Sequence, residues 1–190
     1  MGKYLLHVLI ISFVFFLTPT IRAASEVEET IEAYKQAIRI NPNDAEAHYN
    51  LGVAYASSGM YEEAIEAFQQ AIRINPDFAH AHYNLGFAYG NSGMYEEAIE
   101  AFQQAIRINP DFAYAHNNLG YVYVSSGMYK EAIEAYKQAI RINPYYEMAH
   151  YNLGFAYVSL NDRGSALEQY EILKSLDSEL ANELFNLIYK

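Results

Sequence analysis

The sequence has no cysteine in 190 residues. That excludes disulfides, thiol catalysis, cysteine-ligated zinc and a lipid-modified N-terminal cysteine. It leaves the compartment open, since oxidising and reducing locations both tolerate the absence. Basic residues are scarce: 12 Lys and Arg stand against 23 Asp and Glu, for a net charge of −11. Nucleic acid and anionic membrane surfaces are bound by neutralising phosphates with Lys and Arg, so both are disfavoured partners. Long apolar runs are also missing. The longest, Leu5–Leu17 (LLHVLIISFVFFL), is shorter than the roughly 20 residues a transmembrane helix needs. No phosphate-binding loop, no carboxylate-paired pocket, no nucleophile with an adjacent base and no Asn-x-Ser/Thr glycosylation acceptor occurs, and the sequence is read as that of a non-enzyme without a cofactor.

The short apolar run has a reading of its own. Lys3 precedes it, Thr18-Pro19 breaks it, and the small residues Ala23-Ala24 follow. This is the pattern of a secretory signal peptide, residues 1–23, cut after Ala23. An uncleaved membrane anchor and a buried core helix are the alternatives. On the first reading the mature chain is exported, periplasmic or secreted, and stays membrane-tethered if the leader is not cut. Loss of Lys3 and Arg22 leaves ten basic residues against 23 acidic ones, a net charge near −13.

What the chain has is repetition. MYEEAIEAFQQAIRINPDFA stands at 60–79 and again, unchanged, at 94–113. The period is 34 residues, which divides the chain into units 45–78, 79–112 and 113–146, a degenerate fourth unit 147–180, and an N-terminal half unit 25–44. Apolar residues recur at three- and four-residue intervals in both halves of each unit, as expected of two helices. Ser-Gly (58–59, 92–93, 126–127) separates the halves, and Asn-Pro (75–76, 109–110, 143–144) ends the second helix. In the fourth unit Asn161 replaces the turn glycine and Ser178 the proline. The segment 178–190, with Leu180, Leu184, Leu187 and Ile188 on one face, reads as a C-terminal capping helix.

The period, together with Leu85, Gly86, Tyr89, Gly93, Ala98, Phe102, Ala105 and Pro110, resembles the tetratricopeptide repeat. The resemblance covers about residues 25–180. It implies an all-α, right-handed superhelical solenoid of antiparallel helix pairs, in which the first helix of each pair lines a concave groove and the second forms the convex back.

Units 45–78 and 79–112 differ at Glu46/His80, Val53/Phe87, Ala56/Gly90 and Ser57/Asn91, which share one stripe of the first helix. The third unit changes these positions again (Tyr114, Tyr121, Val124, Ser125) and replaces Tyr83 by Asn117. The second helix passes from the first unit to the next unchanged. Variation confined to the groove side points to a diversified binding surface; tolerated drift at exposed positions is the alternative, against which the equally exposed back passes unchanged into the second unit. Tyr49, Tyr83, Phe87, Tyr114, Tyr121, Tyr151 and Phe155 would supply its contact area. Asn50, Asn84, Asn118 and Asn152 recur beside them; an amide that both donates and accepts can pair with the backbone of an extended peptide. This series resembles the asparagine ladder of the O-linked N-acetylglucosamine transferase repeats, and a helix-packing role for the amides stands beside it. The groove segments 45–58, 79–92, 113–126 and 147–160 contain no Lys or Arg, so a clamp for a C-terminal carboxylate is not expected and binding should depend weakly on salt.

His48, His82, His116 and His150 recur once per unit at the place where the family typically has Trp. Equivalent positions on stacked helices lie about 8–10 Å apart, too far to share a metal ion whose His ligands sit near about 2.1 Å. They are expected to fill intra-unit packing. The reading is an exported scaffold that binds a protein or peptide segment. The alternative is a structural homo-oligomer built through its terminal faces, and a third is an accessory domain of an enzyme complex.

Overall fold

The computed structural model describes residues 26–190, so the leader reading lies outside the described residues. Ten helices and no strand are present among them. They are α1 (residues 26–40), α2 (Ala45–Ser57), α3 (Tyr61–Ile74), α4 (Ala79–Asn91), α5 (Tyr95–Ile108), α6 (Ala113–Ser125), α7 (Tyr129–Ile142), α8 (Glu147–Ser159), α9 (Arg163–Leu176) and α10 (Ser178–Ile188). The fold is all-α, with consecutive helices paired as the repeat period predicts. None of the described helices is long and apolar enough to cross a membrane. The chain divides into two compact units, one ending at Ile74 and the other running from Asn75 to Lys190.

Each helix pair is closed by the same turn. In the second pair, Met94 N–H donates to Tyr89 O at 2.9 Å and Gly93 N–H to Gly90 O at 3.2 Å. This double bond pattern satisfies the last carbonyls of the helix and requires a left-handed residue at its end. Gly93 has φ +76°, and Asn161 takes the same place in the fourth repeat at φ 61°. Asparagine is among the few side chains that tolerate that region.

Within the first unit, α1, α2 and α3 enclose Ile31, Leu51, Ala54 and Ala67, flanked by Val27, Tyr34, Ile38 and Tyr55. Within the second, each interface of a pair is set by a glycine facing an aromatic ring. Phe102 lies against Gly86 and Tyr136 against Gly120, both rings about 1% exposed. Phe68 meets Gly52 in the same way in the first unit. A large ring in a slot that a side chain would close lets the two helices approach closely, and burying each ring contributes about 1.5–3 kcal/mol.

The fourth pair departs from this scheme. Leu184 of α10, not Tyr170 of α9, fills the slot at Gly154. Tyr170 turns outward to Phe185, ring centroids 5.3 Å apart. Ala181, Leu184 and Ile188 close the core with Ala166 and Leu173, while Leu180 and Leu187 are only half-buried. The missing proline permits this: Asp177 ends α9 and caps α10 at once, its Oδ1 accepting from Glu179 N and Leu180 N at 2.9 and 3.0 Å.

Candidate peptide-binding face

The first helices of the pairs in the second unit, α4, α6 and α8, lie side by side, α4 touching α6 and α6 touching α8. At Gly90 a Cβ would stand 3.6 Å from Val122 Cγ2, an ordinary van der Waals contact, so the approach of α4 to α6 does not depend on the glycine. Their common face holds a cleft of about 370 Å³ lined by Phe87, Asn91, Asn118, Tyr121, Met148 and Asn152, among others. Phe87 is 43% exposed, Tyr121 61% and Met148 43%. Met148 was not itself singled out from sequence, although it stands in the fourth unit at the variable position of Glu46, His80 and Tyr114, two residues before His150.

The asparagines are connected to one another. Asn152 Nδ2 donates to Asn117 Oδ1 at 3.1 Å, Asn117 Nδ2 to Asn118 Oδ1 at 3.2 Å, and Asn118 Nδ2 to Tyr83 Oη at 3.0 Å. One chain of donors thus ties α8 to α6 and α6 to α4. Asn117 is 6% exposed within it. The packing role left open for the asparagine series is therefore performed by Asn118 and Asn152, with part of their capacity spent before any ligand arrives. The replacement of Tyr83 by Asn117 in the third unit also acquires a physical meaning, because the smaller amide receives Asn152 where the phenol receives Asn118.

Several side chains expected to present free contact area are engaged within the protein. Tyr83 packs against Phe102 and Phe112 at 5.7 and 4.9 Å. His80 sits 5.2 Å from Phe112, and Tyr114 meets Tyr146 edge-on at 5.1 Å. The cause is the loop aromatic that ends each repeat, Phe112 or Tyr146, which folds back onto the first helix of the same repeat. Burial, reinforced by Tyr83, Tyr114 and Glu147 nearby, pushes the Tyr146 phenol up to about 12. Tyr151 is turned to α10; burial and then a hydrogen bond and charge from Glu183 raise its pKa. At the C-terminal end of the face, Asn91 Nδ2 and Ser125 Oγ donate to their own helix at Phe87 O and Tyr121 O, 2.9 and 3.1 Å. Asn84 and Phe155 are half-buried on the same helices.

In the first unit, α2 carries the corresponding positions. Glu46 and Val53 are exposed, and Asn50 is half-buried. Tyr49 leans on Phe68 at 5.9 Å, and Ser57 Oγ donates to Ala54 O at 2.9 Å.

The four repeated histidines prove to be loop pins. His48, His82, His116 and His150 each place Nε2 at 2.9–3.0 Å from the carbonyl of Pro42, Pro76, Pro110 and Pro144 respectively. Carbonyl oxygen only accepts, so Nε2 carries the proton. The signal was in the sequence as an invariant Pro-to-His separation of six residues. His150 is buried and also meets Gln169 at 2.8 Å through Nδ1. No group of three or more metal-ligating side chains gathers among the described residues.

Comparison with known proteins agrees with this architecture. The profile described as TPR repeat matches residues 22–59, 54–93, 91–127 and 120–161. A crystal structure of MamA is similar at 32% identity and TM-score 0.75, covering 87% of this chain and 92% of that one. MamA 41-end from Desulfovibrio magneticus RS-1 is 27% identical, with TM-score 0.75 and coverage of 80% and 86%. YrrB, described as a TPR protein with an unusual peptide-binding site, is 25% identical with TM-score 0.73 and 88% coverage of both chains. No curated protein sequence matches the chain. The repeat period, the paired helices and these matches together show that the chain belongs to the TPR repeat family, a family of protein–protein interaction scaffolds.

Proposed function

We propose that the α4–α6–α8 face binds an extended peptide segment of a partner protein, and that the chain acts as an exported scaffold. The observation that carries the binding reading is the exposure of Phe87 and Tyr121, 43% and 61%, over one uncharged cleft. Large rings with little rotamer entropy are the usual anchors of interfaces. The likeness to YrrB, whose description includes a peptide-binding site, supports it. Export rests on the leader pattern in residues 1–23, and N-terminal sequencing of protein recovered outside the cytoplasm tests it; a start at Met1 or Gly2 would refute cleavage.

The binding test is capture on a peptide array, and then from the native exported fraction, with Phe87→Glu and Tyr121→Ala beside back-face changes at Glu97 and Glu100. Loss of capture is expected from the first pair only, with little change between low and high salt. Capture that survives both groove changes and fails with the back-face changes would sink the reading.

Self-association is the second reading, favoured by one feature. Phe185 and Tyr189 stand 41% and 59% exposed at the C-terminal end, their rings 4.6 Å apart. Light scattering across a concentration series, with Phe185→Ser as control, decides whether this patch joins copies of the chain.

A further inference from the structure

The cleft lies where two side chains are cut back. Positions 49, 83 and 151 carry Tyr, but position 117 carries Asn; positions 56, 124 and 158 carry Ala, Val and Val, but position 90 carries Gly. Asn117 and Gly90 both line the cleft. They stand on different helices, α6 and α4, so the two reductions meet at one place.

Tyr83 shows what the larger residue does. Its ring packs on Phe102 and Phe112, and its Oη accepts from Asn118 Nδ2 of the next first helix at 3.0 Å. Asn117 accepts from Asn152 Nδ2 in the same relation at 3.1 Å, but with an amide and no ring. A phenol at 117 placed as Tyr83 is would reach Asn152 with its Oη and put its ring into the cleft. Gly90 contributes from the other helix. A Cβ there meets only ordinary contacts, 3.6 Å to Val122 and 4.0 Å to Ala98, so the missing side chain is space left open rather than a clash avoided.

The walls set the chemistry of that space. A cleft of about 370 Å³ is near the lower end of the range that holds a small ligand, about 300–1,000 Å³. It has room for one large side chain, not for a length of chain. Phe87, Tyr121, Val122 and Met148 make it apolar, and no Lys, Arg, His, Asp or Glu lines it. A charged group entering it would be desolvated without a partner, at a cost. Among the amides, one N–H is unspent on each of Asn117, Asn118 and Asn152, with one oxygen site on each of the first two and two on the last. Donors and acceptors are nearly balanced, as they are in the peptide groups on either side of an inserted side chain.

We infer that Asn117 and Gly90 determine specificity on this face, by opening one pocket that takes a single large apolar side chain of the partner segment. This deepens the proposed function and rests on its assignment of the binding face. A side chain held in a desolvated pocket between rings is the usual anchor of such a complex.

The test is an array of short, otherwise uncharged peptides whose central residue is Phe, Leu, Met, Ser, Lys or Glu, probed with the full chain. Central Phe, Leu or Met is expected to raise capture by about tenfold or more over Ser, Lys or Glu. Two variants fill the pocket from different helices. Asn117→Tyr with Tyr136→Phe reproduces the Tyr83–Phe102 pair, and Gly90→Leu adds a side chain on α4. Each should erase the preference, while Tyr136→Phe alone keeps it. Melting followed by circular dichroism establishes folding, and either variant decides where the other does not fold. A preference that survives filling, or capture indifferent to the central residue or favouring Lys or Glu, overturns the inference. If Phe87→Glu and Tyr121→Ala still abolish that capture, the binding face stands. Capture unmoved by those two changes, or no capture of any peptide, overturns both readings.

Discussion

Gly120→Ala sets a Cβ 2.6, 2.8 and 2.9 Å from Cε1, Cδ1 and Cζ of Tyr136, inside the distance that real Cβ atoms keep from any neighbour. The ring cannot retreat, because it is 1% exposed and packed among Ala132, Ile133, Leu153 and Ala156. Overpacking of this kind costs about 1–3 kcal/mol, and three ring atoms in conflict place it near the top of that range. Alanine returns about 1 kcal/mol of helix propensity. The net loss is therefore about 2 kcal/mol, a fall of roughly 4–8 °C in Tm for a chain of this size. Equilibrium urea unfolding followed by far-UV circular dichroism reads it. The decisive comparison is a cycle with Tyr136→Ala, which alone costs about 3–5 kcal/mol by vacating the slot. In that background Gly120→Ala should be neutral or stabilising by up to about 1 kcal/mol. A variant as stable as its parent, or a loss that persists without the ring, would refute the claim that glycine is there to admit the aromatic.

Other perturbations separate the devices that hold the repeats. His82→Ala removes one pin to Pro76 and should cost about 1 kcal/mol, whereas His150→Ala also strands the buried Gln169 and should cost about 1–3 kcal/mol more; thermal midpoints rank the two. Leu184→Ala empties the slot at Gly154 and should lose about 2–5 kcal/mol, measured by the same urea titration. Asn161→Val forces a β-branched residue to φ 61° and should destabilise, while Asn161→Gly should be neutral or better. The phenol of Tyr146 is raised from 10.0 to about 12 in the folded chain, so it adds stability below pH 10 that is lost as pH rises towards 12; tyrosinate absorbance against pH, native and in urea, follows it.

Much of this architecture was legible before any coordinates. A 34-residue period with glycine and proline at fixed offsets marks helix ends, because left-handed turns and missing N–H groups are local requirements. Helix pairs, turn positions and the capping segment all follow from such signals. The variable stripe was legible too, but its meaning was not. Phe87 and Tyr121 stay exposed on it without a ring partner from the loops, while His80, Tyr114 and Tyr83 each meet the loop aromatic that ends their own repeat, Tyr114 remaining 56% exposed. Sequence identity at equivalent positions cannot distinguish these outcomes, since the partner ring comes from about 30 residues further on.

The sequence by itself determined which segments become helices, where they turn and how often the pattern recurs, because each depends on neighbours within a few residues. The tertiary structure alone decided that asparagines pair with one another and that Leu184 displaces Tyr170 at the last glycine slot. Those outcomes depend on which side chain reaches a site first and fits its volume. Stacking brings such competitors together, and nothing in the local pattern ranks them.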